Sequence, residues 1–486
     1  MTRTSLTHPL QIAAVSLGAG VGRIGVTFCP GKQQWSAVTG AWARDLELDV
    51  QAIADWGAAA VLTLVEPHEL GVLGVPGLGR AVEAGHMDWL HAPIRDVSVP
   101  DANFERTWLG LGEGIRDRLR AGFDIVVHCK GGLGRAGMIA ARLLVELGVD
   151  ANEAIARVRT ARPGAIETAE QLRHVLVQTF VPERQPETTA AAIRDRAVGA
   201  LLGLAVGDAV GTTLEFKARD TYSPLSDMVG GGPFSLEAGQ WTDDTAMALA
   251  LADSLVACDG LDEQDLLARF VDWWRNGTYS CTGRCFDIGG TTAQALLRWE
   301  KTMADHCGST DANSAGNGSL MRLSPVAIRF WKDRPALRDA AARQSKTTHA
   351  APEAVDACVL YAEILADAIE GRPRSEVLRS LAGGWSGKIG AIAAGSWRGK
   401  PRTKIDASGY VVSALEAALW SVGRSPFYER AVLHAANLGQ DADTTAAIAG
   451  QLAGALCGKK RMPVQWVSKL AWRDQLSAAA EALSGS

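Results

Sequence analysis

At 486 residues the chain is longer than one hydrophobic core usually serves, so at least two domains are expected. A net charge of −5 with 21% charged residues excludes a surface built to coat nucleic acid, while leaving room for a local groove. Apolar runs are broken by Asp, Arg or Gly well short of twenty residues, the N-terminus lacks the basic-then-apolar order of a secretory signal, and eight scattered Cys suit a reducing compartment; together these point to the cytoplasm.

In chain order, residues 24–29 read as a strand that stops at Pro30-Gly31. Residues 46–56 carry helical periodicity, with Leu46, Val50, Ile53 and Ala54 on one face. Residues 59–65 form a second buried strand, 124–128 a third, and 136–148 an apolar helix. Alternation of this kind predicts an α/β unit with a parallel-rich central sheet flanked by helices. Between the third strand and its helix lies Cys129-Lys-Gly-Gly-Leu-Gly-Arg135. Its glycines let successive N–H groups turn inward, the helix end adds positive potential, and Arg135 offers a planar fork to phosphate oxygens. The same field favours a thiolate on Cys129, which makes it a candidate nucleophile rather than an inert core thiol.

The string His128-Cys-Lys-Gly-Gly-Leu-Gly-Arg135 resembles the loop of cysteine-dependent phosphatases, nearest the kinase-associated branch of the dual-specificity group. Phe28-Cys-Pro-Gly31, the strand ending at Val65 before Glu69-Leu70, and Ala92-Pro-Ile-Arg-Asp96 extend the resemblance in order. It implies a phospho-cysteine intermediate on Cys129, phosphate held by Arg135, and substrate contacts from His128, Lys130, Gly131, Gly132, Leu133 and Gly134. Asp96 is the implied acid for the leaving group, with Asp101 as runner-up on the same Pro-bounded loop. One position departs: Ala136 stands where the family usually has Ser or Thr, a hydroxyl that helps the thiolate leave, so slow turnover is expected.

The first domain is placed at 10–181 and a linker at 182–192, where prolines and charge replace apolar periodicity. Residues 193–486 then read as an all-α bundle, with helices near 195–206, 245–257, 261–274, 350–369, 411–421 and 445–456. Ala and Gly dominate their apolar faces and permit close helix approach. Thr242-Asp-Asp244 precedes one such helix, and Asp441-Ala-Asp-Thr444 another. Either alone is explained as a helix cap. Both together would converge carboxylates that only hard cations make tolerable. Glu215 follows a glycine-rich helix, Ser314 to Pro325 is a polar glycine loop suited to diphosphate or ribose contacts, and Cys281-x-x-x-Cys285 reads as structural for want of a second metal-binding pair.

These segments resemble the ADP-ribosylglycohydrolase family, nearest the bacterial dinitrogenase reductase-activating branch. The motifs include Gly207-Asp208, Glu215, Trp241-Thr-Asp-Asp-Thr245, Cys285-Phe-Asp-Ile-Gly289, Gly316-Asn-Gly-Ser-Leu-Met-Arg322, residues 345–349 and Gly439-Gln-Asp-Ala-Asp-Thr444. The resemblance implies two Mg2+ ions, with Mn2+ as a substitute, on Thr242, Asp243, Asp244, Asp441, Asp443 and Thr444. Asp243 or Asp244 is the candidate to activate water, Glu215 is expected to guard or adjust the metal site, and Asn317, Gly318, Ser319 and His349 are expected ADP-ribose contacts. A hydrogen-bonded core role is the alternative for His349. The whole reads as a bifunctional hydrolase acting on an ADP-ribosylated protein, nucleic-acid end or small molecule, and on a phosphorylated substrate. The alternative makes the N-terminal domain a phospho-ligand-binding regulatory module. Whether an N- or an O-glycosidic bond is cut stays open.

Overall fold

The computed structural model describes residues 2–35 and 40–485. The chain divides into two compact units, Met1–Arg184 with Arg398–Lys404, and Gln185–Trp397 with Ile405–Ser486.

The first unit is built on a five-stranded sheet: β1 (Ala13–Val15), β2 (Ile24–Phe28), β3 (Ala60–Thr63), β4 (Asp88–His91) and β5 (Ile125–Cys129), in the order β1-β2-β5-β3-β4. Only β1 runs antiparallel. The central strands are apolar throughout because both faces are covered. Val61 and Val126 pack toward α1 (Leu46–Asp55), whose first turn is capped by Asp45, while Leu62 and Val127 face α2 (Ala102–Arg120) and α3 (Gly134–Glu146). The edge strands β1 and β4 have no counterpart in the sequence reading; β4 is short, half-buried and begins with an acid, Asp88, which is paired to Arg118.

The second unit is helical. Its α4 (Ala190–Gly211) starts inside the stretch read as linker, because Thr189 accepts a bond from the Ala192 N–H at 3.2 Å and begins the helix there. The stretch Ala190–Leu214 is long and apolar enough to cross a bilayer, but 94% of its most apolar window is buried inside the protein. Other helices include α5 (Asp243–Ala257), α6 (Arg334–Thr348) and α7 (Ala442–Cys457), with Val411–Arg424 and Tyr428–Ala436 packed on α7.

The pairing of α4 with α7 explains the glycines. A Cβ placed on Gly203 would lie 2.2 Å from the Gly450 carbonyl oxygen, and one on Gly450 would lie 2.0 Å from that of Gly203. Gly199 stands likewise against Gly454, and Gly207 against Ala446, so the helices run antiparallel with their backbones in contact. Glycine at four-residue spacing normally weakens a helix. Here it lets two polar ends, one at Asp208 and one at Asp443, meet in the interior.

Candidate active sites

The first site is the turn from β5 into α3. Register pairs Phe28 with Cys129 and Thr63 with His128, so Cys129 emerges at the carboxyl end of a central strand. The Gly132 N–H points at Cys129 Sγ from 3.2 Å. Gly132 has φ +70°, and a Cβ there would meet the Phe28 N at 2.5 Å, so the turn requires glycine.

Arg135 is buried and bound on all sides. Nη1 donates to Glu69 Oε2 at 2.6 Å and the Ile94 carbonyl at 2.8 Å, and Nη2 donates to Glu69 Oε1 at 3.1 Å. Asp96 Oδ1 lies 2.8 Å from Nη2, and its Oδ2 3.9 Å from Lys130 Nζ. Burial opposes the Glu69 charge, but the bonds from Arg135 hold its pKa below the usual carboxylate range. Glu69 was not singled out as a site residue, and nothing but its distance from the loop in the chain concealed it.

Of the two candidate acids, Asp96 is half-exposed beside Arg135, on the wall of a cavity of about 400 Å³ lined also by Glu66, His68, Glu69, Arg95 and Lys130. Asp101 is instead the N-cap of α2, accepting from the Phe104 N–H at 2.8 Å. His128 is fully buried with Nε2 2.8 Å from Thr63 Oγ1, and burial lowers its pKa to about 3. Its ring therefore braces the sheet rather than lining the loop, contrary to its expected place among the substrate contacts.

The second site lies where α4, α5 and α7 meet. Asp208, Thr242, Asp244 and Asp443 are buried within a few ångströms, and Glu215, Asp441 and Asp443 form a second convergent trio. Carboxylate oxygens in each trio lie within 4.8 Å of one another. Burial raises the pKa of Asp243 and Asp244 well above the ordinary value, and the neighbouring acids raise it further. The same causes, burial and then the Asp443 charge, raise Asp208, Glu215, Asp287 and Asp441.

Proton counting shows how the oxygens are aimed. Thr242 Oγ1 has one hydrogen and approaches Asp208 Oδ1 at 2.9 Å, while Asp244 Oδ2 and Asp443 Oδ2 each stand 3.3 Å away. Giving its proton to Asp208 turns the hydroxyl's lone pairs toward the other two carboxylates. Thr444 Oγ1 is 3.3 Å from Asp244 Oδ2, and Asp244 Oδ1 is buried without a partner. An inward-facing set of oxygens with an orphaned carboxylate atom fits a hard divalent cation.

Asp208 itself is different. Its oxygens accept from Thr242 N, Thr245 N at 3.1 Å and Thr245 Oγ1 at 2.6 Å, so it ties down the first turn of α5. Asp208 and Asp287 both belong to the acid cluster although neither was assigned a role; each stood in a quoted motif, but a single acid carries no spacing signal. Glu215 Oε2 accepts from Ala442 N at 2.8 Å, and Asn317 Nδ2 donates to Asp441 Oδ2 at 2.8 Å. Asp243 is buried beside the cluster but lies in neither trio among the described residues.

The remaining expected contacts divide. Asn317 and Gly318 sit on the glycine loop, whereas Ser319 turns its hydroxyl into the core, 2.8 Å from Ser345 Oγ. His349 is buried beneath the loop with Nδ1 2.9 Å from Thr348 Oγ1, and a Cβ on Gly318 would strike its ring at 2.8 Å. Burial, then the Arg322 charge, lowers its pKa to about 3, so it supports the loop as a neutral ring.

Comparison with known proteins agrees with both geometries. A family model described as ADP-ribosylglycohydrolase matches residues 189–486, and one described as a polymorphic toxin system DSP-PTPase phosphatase matches residues 41–149. The ADP-ribosylarginine hydrolase Tri1 of Pseudomonas putida is 48% identical over 289 residues, covering 60% of this chain and 78% of that protein. The ADP-ribosyl-[dinitrogen reductase] glycohydrolase of Rhodospirillum rubrum is 33% identical over 290 residues, 58% of this chain and 92% of its own. A solved structure titled ADP-ribosylglycohydrolase-related protein complex shares 36% identity at a TM-score of 0.54, over 60% of this chain and 98% of that one. The chain is a hydrolase with a dual-specificity-type phosphatase domain ahead of its larger part, and it belongs to the ADP-ribosylglycohydrolase family.

Proposed function

We propose that residues 193–486 hydrolyse the N-glycosidic bond between ADP-ribose and an arginine side chain, and that residues 10–181 act as a cysteine-dependent phosphatase, both in the cytoplasm. The observation that carries the first half is the inward aim of the Thr242, Asp244 and Asp443 oxygens, together with 48% identity to a protein named as an ADP-ribosylarginine hydrolase. Thr242, Asp243, Asp244, Asp441, Asp443 and Thr444 are the proposed ligands of two Mg2+ ions, with Mn2+ as a substitute. When bound, the ions supply Lewis acidity to the ribose hydroxyls and to attacking water.

The protein's own groups do the rest. Asp243 or Asp244, buried in the first turn of α5, takes the proton from water as it attacks the anomeric carbon, while the C–N bond breaks and the arginine guanidine leaves with the bond pair and is free to take up a proton. Fixed carboxylates around that carbon stabilise the oxocarbenium-like charge that develops. Asn317 holds Asp441 in place, Glu215 guards the cluster, and the loop at Gly318 accepts the ADP-ribose backbone over the His349 ring.

In the first unit, Cys129 attacks phosphorus and Asp96 protonates the departing oxygen. Lys130, Gly131, Gly132, Leu133 and Gly134 form the cradle around the phosphate. Arg135 is already paired with Glu69 and Asp96, so an incoming phosphate competes with Asp96 for Nη2. That pairing, with Ala136 in place of a hydroxyl, favours a second reading in which this unit holds a phospho-ligand and regulates the hydrolase.

One experiment separates the two halves. With Mg2+ the full chain should release ADP-ribose from an arginine-linked peptide and phosphate from p-nitrophenyl phosphate. EDTA should abolish only the first, and Cys129→Ser only the second. ADP-ribose release that persists in EDTA would refute the metal site. Phosphate release that persists in Cys129→Ser would refute the nucleophile.

A further inference from the structure

Three phenylalanines form a rim beside the acid cluster that the reaction as described leaves unused. Phe216 and Phe234 have ring centroids 6.3 Å apart at 74°, and Phe234 and Phe286 stand 5.2 Å apart at 52°. Phe216 is 67% exposed, an unusual state for a large apolar ring, and Phe234 and Phe286 are half-buried.

The backbone spends conformational strain to place them. Phe216 itself has φ +60°, Ser235 after Phe234 has φ +55°, and Asp287 after Phe286 has φ +61°. Left-handed backbone at non-glycine residues is uncommon, and three cases on one rim indicate positions held by the surrounding structure. The Phe216 N–H donates to the Gln440 carbonyl at 2.8 Å, which ties the rim to the loop that carries Asp441.

Two of the rings are also one residue from acids of the cluster. Glu215 precedes Phe216 and accepts from Ala442 N, and Asp287 follows Phe286 and feels the charge of Asp443, which adds to burial in raising its pKa. Whatever group is bonded to the anomeric carbon must leave the cluster at its edge. The adenine lies on the other side of the ribose, beyond the diphosphate that the Gly318 loop is proposed to hold.

Resting on the reading that the bond cut is to arginine, we infer that the Phe216–Phe234–Phe286 rim is the acceptor subsite, recognising the guanidinium of the substrate arginine by cation–π contact. Aromatic faces carry negative quadrupole, Arg is the cation most often found over them, and flanking carboxylates add to the attraction. A neutral hydroxyl-linked acceptor gains little from the same surface, so the rim sets acceptor preference.

The test compares KM and kcat of wild type, Phe216→Ala and Phe216→Trp, as full chains with Mg2+, on one peptide carrying ADP-ribose through arginine or through serine. Free ADP-ribose is titrated as a product inhibitor in the same assay. Both variants keep a Cβ at φ +60°, so backbone strain cancels between them. Phe216→Ala should raise KM for the arginine-linked peptide about tenfold relative to the serine-linked one, and Phe216→Trp should restore it. Equal losses on both peptides would overturn the inference. So would a matching loss of ADP-ribose inhibition, which would assign the ring to adenine or ribose. A wild-type enzyme inert toward the arginine-linked peptide but active on the serine-linked one would refute the underlying reading, and it is recognised before any variant is compared.

Discussion

The two centres solve opposite electrostatic problems. Around Cys129 the buried guanidinium of Arg135 is paired with Glu69 and Asp96, so that cation already has its counter-charges. Around Thr242 the buried groups are carboxylates, whose pKa values burial and mutual repulsion push upward. On the proposed reading the first site exchanges a partner to take an anion, whereas the second is completed by cations. The difference teaches that a buried charge cluster is best read by what would neutralise it.

The comparison is sharpened most strongly at the acids of the first site. Asp96→Asn should lower phosphate release by about 10²- to 10⁴-fold, the range for loss of a general acid. Asp101→Ala should instead cost about 1 kcal/mol of stability as a lost cap, with phosphate release nearly retained. Equal kinetic losses in the two variants would remove the distinction drawn between them.

Next in size is the helix contact that assembles the second site. Gly203→Leu drives a side chain into the Gly450 backbone and should destabilise that unit by about 1–3 kcal/mol or more, read as a lower urea midpoint. ADP-ribose release should fall with it while phosphate release persists. A midpoint unchanged from wild type would contradict the close packing.

A further test is in pH dependence, and it has opposite sign in the two units. His128 has a folded pKa lowered to about 3 from an unfolded 6.5, so its contribution is present above pH 6.5 and is lost as pH falls toward 3. Asp208 and Asp441 have folded pKa values raised to about 7 from 3.8, so in EDTA their contribution is present below pH 3.8 and is lost as pH rises through 7. Urea midpoints measured in EDTA should therefore tilt in opposite directions with pH, and Mg2+ should flatten the second. Parallel tilts would contradict this account.

Much of this was legible in the chain. The βα alternation, the glycine turn after β5 and the two acid-hydroxyl strings carry their own spacing, and the structure brings Thr242, Asp244, Asp443 and Thr444 together. Helix ends were less legible. Ala190–Gly211 extends past the reading at both ends because Thr189 caps it, and because Gly207 and Gly211 are stabilised by contact with α7 rather than by propensity. Glu69, Asp208 and Asp287 act through partners distant in sequence, and no local pattern marks such residues. Ser319 shares the Gly316–Arg322 motif with Asn317, and His349 stands in the 345–349 motif, but only coordinates show which side chains turn inward.

The most direct test of the central claim is a calorimetric titration of Mn2+ into chelator-stripped protein, comparing wild type with Asp443→Asn. Asp443 belongs to both trios, so its loss affects both proposed ion positions. Saturable binding in wild type that is lost in Asp443→Asn is the result this account predicts. The same isotherm in both proteins, or no binding in either, would contradict it.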